Sequence, residues 1–268
     1  AINNVFAQPE IFYKVPPPED EQTFQSVKGI TQDADGFMWF ATWRGLYRYD
    51  GYQLTSFRHD PSNPNSITTD SLQSIAIDST GIIWIGTTRG LEKFNPITGH
   101  FRHYENDPNN PGSIADSWIN ALLVDSDGFL WLGTWAGLEK YDCKVDSFIL
   151  YTNIPGDSTS LSFRDVGEIY EDRQGSLWVG TGSVWIDEKE YEMGGLNRMD
   201  KKTGTFTRYL HDPDNPASLI NNIVTAIYED NSGTFWVGTA GDGLHTMDRE
   251  KETFTRHTYD PKHPEKLS

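Results

Sequence analysis

An all-β fold of repeated four-stranded antiparallel units, a β-propeller, is predicted by three features of this 268-residue sequence. Trp39, Trp84, Trp131, Trp178 and Trp236 recur at intervals of 45, 47, 47 and 58 residues. Each has an Asp six residues before it (Asp33, Asp78, Asp125, Asp172, Asp230) and a Gly three before it. The links between units run to about ten residues, whereas hairpins within a unit need only two to five. Short connections inside a unit and long ones between units, at a period of 40 to 50 residues, mark propeller blades.

Four strands, A to D, are expected in each unit. Strand A carries apolar residues six and three positions before the turn Asp: Val27 and Ile30, Leu72 and Ile75, Ile119 and Leu122, Val166 and Ile169, Val224 and Ile227. The Asp-x-x-Gly that follows is hairpin chemistry, because Asp bonds turn amides and Gly accepts positive φ. Strand B holds the Trp and ends on a small residue and Thr. A Gly-Leu pair opens strand C, and strand D carries a closing aromatic, read as Phe57, Phe101, Phe148, Phe206 and Phe254. The repeated Trp and Asp are assigned to packing between blades and to turn capping.

The blades are expected at about 24–59, 69–104, 116–151, 163–209 and 221–258, after an N-terminal segment at 1–23 and before a link at 259–268. Links recur as Asp60 to Ile67, Asp107 to Ile114 and Asp212 to Leu219, with a degenerate copy from Pro155 to Leu161. Their length suits a return from the outer edge of one sheet to the inner edge of the next. Around Phe6-Ala7-Gln8 the sequence resembles an export cleavage site, so residues 1–8 read either as a signal-peptide remnant or as an ordinary N-terminal segment.

Composition narrows the function. With 39 acidic against 22 basic residues, the net charge of −17 repels phosphate backbones and anionic lipid, so nucleic acid is not an expected partner. No apolar run approaches the ~18 residues of a membrane span, so this segment is not expected to insert directly. The lone Cys143 cannot form an internal disulfide. Seven scattered His show no metal-ligand spacing, and His59, His103 and His257 read as one recurrent position near the end of strand D. No catalytic residue, metal site or cofactor is expected.

The unit Ile-Tyr-Glu-Asp-x-x-Gly-x-x-Trp-Val-Gly-Thr, at 169–181 with Gly195-Leu196 and at 227–239 with Gly243-Leu244, resembles the two-component regulator propeller repeat. The resemblance covers about residues 24 to 268. It implies an extracytoplasmic, periplasmic sensor region of a membrane histidine kinase, in many cases a Bacteroidetes hybrid two-component system responding to polysaccharide breakdown products. The partners it implies are an oligosaccharide and the remaining domains of the same receptor, and a homodimer is a further expectation. Such sensors commonly carry seven-bladed propellers, so the five units read as part of a larger ring or as a closed five-bladed one.

Departures from the repeat point to a binding face. Blade 4 needs 17 residues between Trp178 and Gly195 where others need six or seven, and the extra loop holds Trp185 and Tyr191 among four carboxylates. At the same B–C position stand Trp43-Arg44, Thr88-Arg89 and Trp135-Ala136. Variation inside constant surroundings means that packing does not dictate these residues. Trp43, Arg44, Arg89, Trp135, Trp185 and Tyr191 are therefore the candidate ligand-binding set, with Trp118 a weaker member. The competing readings are a docking surface for neighbouring domains and a polysaccharide-acting enzyme.

Overall fold

The computed structural model describes residues 26–184, 193–241 and 243–258. Blade 1 is β1 (Val27–Gln32), β2 (Met38–Thr42), β3 (Gly45–Tyr49) and β4 (Leu54–Phe57). Blade 2 is β5 (Leu72–Ile77), β6 (Ile83–Thr87), β7 (Leu91–Asn95) and β8 (His100–Tyr104). Blade 3 is β9 (Ile119–Val124), β10 (Leu130–Thr134), β11 (Leu138–Asp142) and β12 (Ser147–Tyr151). Blade 4 is β13 (Val166–Glu171), β14 (Leu177–Thr181), β15 (Gly195–Asp200) and β16 (Thr205–Tyr209). Blade 5 is β17 (Val224–Glu229), β18 (Phe235–Thr239), β19 (Gly243–Asp248) and β20 (Thr253–His257). Each forms a four-stranded antiparallel sheet in sequence order.

The six-residue Asp–Trp spacing has a structural cause. Asp172 accepts hydrogen bonds from the amides of Gln174 and Ser176 through Oδ1, and from Trp178 Nε1 through Oδ2 at 2.8 Å. The same carboxylate–indole bond spans 2.7 to 3.0 Å in the other four blades. One Asp thus closes the A–B turn and satisfies the only polar atom of a buried ring. Trp39, Trp84, Trp131 and Trp178 are at most 3% exposed, and each packs on strand B and strand C residues of the next blade. Trp84, for example, meets Leu130, Leu132 and Tyr141.

Inner strands pack in succession, β1 on β5, β5 on β9, β9 on β13 and β13 on β17. Among the described residues no comparable packing joins β17 to β1, so the five blades form an arc and not a closed five-bladed ring. The arc corrects one strand A expectation. Ile75, Leu122, Ile169 and Ile227 pack against the preceding blade, but Ile30 is 57% exposed because no described blade precedes it.

Register corrects the closing aromatic of blade 1. Phe101, Phe148, Phe206 and Phe254 lie opposite Phe94, Tyr141, Met199 and Met247, but in blade 1 that place belongs to Leu54, opposite Tyr49. Phe57 instead matches Tyr104, Tyr151, Tyr209 and His257, the residues that lie 5.6 to 6.2 Å from their own blade's Trp.

The three His assigned to one position occupy three. His257 faces Trp236; His103 bonds Glu92, and although burial opposes it, Glu92 together with the Pro64 carbonyl and Glu105 raises its pKa; His59 bonds the Ile67 carbonyl at 2.8 Å. That last role passes to Asn106, Asn153 and His211 in later links, each holding the carbonyl of a fully buried Ile114, Leu161 or Leu219. A second latch holds the following amide. Glu92, Glu139, Asn197 and His245, all at most 1% exposed, accept the N–H of Thr68, Ala115, Ser162 and Ile220. Three residue types fill one role because the role asks only for an acceptor at that point.

Candidate functional site

Antiparallel order places the B–C loops and the starts of the A strands at one end of the arc, with the A–B and C–D hairpins at the other. At the first end every A strand carries a β-bulge. Register slips between Val27 and Gly29, Leu72 and Ser74, Ile119 and Ala121, Val166 and Glu168, and Val224 and Ala226. The extra residues are Lys28, Gln73, Asn120, Gly167 and Thr225. A bulge re-aims its side chain out of the ladder, which frees that position from the packing that fixes its neighbours.

Between blades 3, 4 and 5 these positions surround a cavity of about 210 Å³. Asn120, Gly167 and Thr225 come from the three bulges, and Asp165 and Ile223 from the link ends before β13 and β17. Trp135 enters from the blade 3 B–C loop, and Gly182, Ser183 and Val184 from the stem of the blade 4 insertion. Gly167 leaves the space open: a Cβ there would meet nothing within 4 Å.

Trp135 is 40% exposed and stacks on Trp118, with ring centroids 5.0 Å apart and planes 11° from parallel. That brace holds the outer Trp in place and leaves part of its surface to solvent. Asp165 is only 6% exposed and accepts a hydrogen bond from Asn120 Nδ2 at 3.2 Å. Asn120 also bonds the Val166 carbonyl at 3.1 Å, so one amide ties blade 3 to blade 4. Burial pushes the Asp165 carboxyl up to about 6, Asp116 adds to the rise, and Ser183, Arg164 and Asn120 oppose it. Beside the Gly167 bulge, burial alone raises Glu168 to about 7. Blades 1, 2, 3 and 5 carry Gly29, Ser74, Ala121 and Ala226 at that register.

Of the sequence candidates, the described cavity lining contains Trp135 alone. Trp43, 52% exposed, lies on the same end of blade 1 with Lys28 Nζ 4.4 Å above its ring. Arg44 and Arg89 share that end, but neither belongs to the described lining. Trp185 and Tyr191 lie outside the described residues. Sequence reasoning missed Asn120, Asp165, Gly167, Ser183 and Thr225. The signal for Asn120, Gly167 and Thr225 was present in strand A, where Lys, Gln, Asn, Gly and Thr alternate at one place between constant apolar residues. Among the described residues no group of three His, Cys, Asp or Glu is placed to hold a metal ion, and no helix is long and apolar enough to cross a membrane.

Four segments, residues 22–44, 113–136, 160–183 and 218–241, match the two component regulator propeller family. No curated protein matches the chain. Among solved structures, the extracellular domain of the putative hybrid two component system BT3049 from B. thetaiotaomicron is 29% identical, with a TM-score of 0.71 over 86% of this chain and 29% of that one. The corresponding domain of BT4673 from the same organism is 21% identical, with a TM-score of 0.54 over 86% of this chain and 37% of that one. Virginiamycin B lyase from Staphylococcus aureus, 13% identical with a TM-score of 0.61 over 91% of this chain and 73% of that one, shares the fold. The chain thus spans less than a third of the length of the BT3049 domain. Five Asp–Trp blades and four matched segments identify this chain as a β-propeller built on the two component regulator propeller repeat.

Proposed function

We propose that this chain is a non-catalytic, ligand-sensing propeller segment of a periplasmic receptor region in a hybrid two-component histidine kinase, and that it binds oligosaccharide at the B–C loop end of blades 3 to 5. The observation that carries this reading is the cavity, where a braced, partly exposed Trp stands beside buried and half-buried hydrogen-bonding groups on a rigid scaffold. Aromatic faces pack on the C–H faces of sugars, and amide, hydroxyl and carboxylate groups select their hydroxyls. Likeness to the extracellular domain of BT3049 supports the receptor setting. Signalling then requires that the ligand bind one arrangement of the receptor better than another.

Calorimetry against a panel of neutral and acidic oligosaccharides tests the reading. At least one sugar is expected to bind, with Trp135→Ala weakening it about tenfold or more, and the recovered sugar is expected to be unchanged by mass spectrometry. Absence of heat from every sugar overturns the sensing role, and a cleaved product overturns the non-catalytic one. Trp43 favours a second role for blades 1 and 2. Exposed and outside the cavity lining, it suits docking onto remaining receptor domains or a second copy.

A further inference from the structure

We infer that the cavity between blades 3 and 5 takes a single uncharged pyranose-sized ring, the end of a neutral oligosaccharide, and rejects rings bearing carboxylate or sulfate. This deepens the oligosaccharide reading and rests on it.

Size comes first. Pockets for drug-sized ligands run to about 300–1,000 Å³, so about 210 Å³ suits one ring and not an extended chain. The space exists because of one residue. At the strand A bulge the other blades place Lys28, Gln73, Asn120 and Thr225, and only blade 4 has Gly. Any of those side chains at 167 would project into a volume where a Cβ meets nothing within 4 Å.

Charge decides the class of ring. Asp165 lines the cavity almost fully buried, and no Lys or Arg belongs to the described lining. Arg164 acts on Asp165 as a positive charge and Asp116 as an opposing negative one, but Arg164 is not part of the described lining. A carboxylated or sulfated ring would enter beside a poorly solvated carboxylate without a lining cation to neutralise it, an arrangement that costs free energy. Neutral hydroxyls instead donate to Asp165, while Thr225 and the Asn120 amide offer further polar contacts. Trp135, braced by Trp118, supplies the apolar wall with little rotamer entropy left to lose. Arg44 and Arg89, which as rim residues would have favoured an anionic sugar, lie outside this lining.

Three proteins separate the alternatives, all with the full chain: wild type, Gly167→Gln and Asp165→Asn. Gly167→Gln installs the side chain that blade 2 carries at this register, at a backbone position with no left-handed φ, so native melting behaviour is expected. Neutral oligosaccharides and uronic-acid oligosaccharides of equal length are titrated by calorimetry. Wild type is expected to prefer the neutral series at least tenfold, Gly167→Gln to lose at least tenfold for that series, and Asp165→Asn to narrow the preference severalfold. Neutral sugars that bind Gly167→Gln as tightly as wild type, or uronates that bind wild type equally well, overturn the inference and leave sugar sensing standing. A wild type that binds no sugar overturns both.

Discussion

Between blades 1 and 2, and between blades 2 and 3, an aromatic ring near the end of strand C meets the preceding blade's Trp, with Phe94 5.9 Å from Trp39 and Tyr141 5.2 Å from Trp84. At the next two interfaces Met199 and Met247 stand at that position. The residue opening the C–D hairpin changes with it, from Pro96 and Cys143 to Lys201 and Arg249. Lys201 Nζ lies 3.0 Å from Asp125 of the preceding blade and 2.6 Å from Glu171 of its own. Arg249 repeats the bridge to Asp172 and Glu229 at 3.0 and 2.6 Å. At this strand C position one repeat therefore supports two solutions: an aromatic ring in the first half of the arc, a flexible thioether plus a buried ionic tie in the second. The tied interfaces are also those whose opposite end opens into the cavity. Charge pairs at the hairpin end hold blades 3 to 5 together where the B–C loop end is hollow.

The largest test of this contrast compares an enclosed Trp with the terminal one. Trp178, fully buried and 4.7 Å from Phe235, is expected to cost about 3–5 kcal/mol on Trp178→Ala. Trp236, only partly buried, is expected to cost less than half as much, by urea titration of both variants. Equal costs would mean that packing on the next blade contributes little.

Next comes the ionic tie. Lys201→Met leaves Asp125 buried and without its cation, at an expected cost of about 3 kcal/mol near pH 7, whereas Cys143→Ala at the equivalent place should stay within about 0.5 kcal/mol. Lys201 and the Trp131 indole hold the Asp125 carboxyl below its usual value against the opposing effect of burial. A depressed acid contributes stability above the unfolded pKa and loses it as pH falls through the folded one, so the Lys201→Met deficit should shrink in acid.

A smaller effect concerns the left-handed residue of each C–D hairpin. Blades 3 and 5 place Asp146 (φ +54) and Glu252 (φ +55) there, and these accept the hydroxyls of Tyr104 at 3.0 Å and Tyr209 at 2.8 Å in the preceding blade. Blade 4 has Gly204, where a Cβ would lie 2.9 Å from the Tyr151 ring. Exchanging the solutions should fail: Gly204→Asp is expected to lose about 1–3 kcal/mol by overpacking. Asp146→Gly is expected to lose about 1 kcal/mol, because relief of backbone strain offsets part of the lost hydrogen bonding. Thermal melts would check both.

The smallest is a gain. Glu168, raised to about 7 by burial, opposes folding when ionised. A raised acid favours the fold below its unfolded pKa and loses that advantage as pH rises through its folded pKa. Glu168→Ala, which copies Ala121 and Ala226, should therefore stabilise by about 1 kcal/mol at pH 8 and little at pH 4.5, by urea midpoints at the two values.

Blade architecture was legible because it is written in local chemistry. Asp-x-x-Gly names a turn, alternating apolar residues name a strand, and Trp39 to Trp236 set a period that any reader of the chain can measure. The latch formed by Glu92, Glu139, Asn197 and His245 was not legible, since three residue types share a role defined only by a link amide arriving from elsewhere in the chain. The site was half legible. Trp135 stood out as a variable residue in a constant frame, but Asp165 and Asn120 meet across 45 residues, and that meeting depends on how two blades pack.

By itself, then, the sequence determined the all-β class, the five repeating units, the Asp–Trp pairing positions and the charge that disfavours polyanions, because each is set by neighbours within a few residues. Only the tertiary structure decided that the units form an arc, that Phe57 and the three His fall out of the assumed register, and that Gly167 leaves a space which Trp135, Asn120 and Asp165 surround. Those outcomes depend on bulges and blade-to-blade packing, in which a single extra residue redirects a side chain from the ladder into open volume.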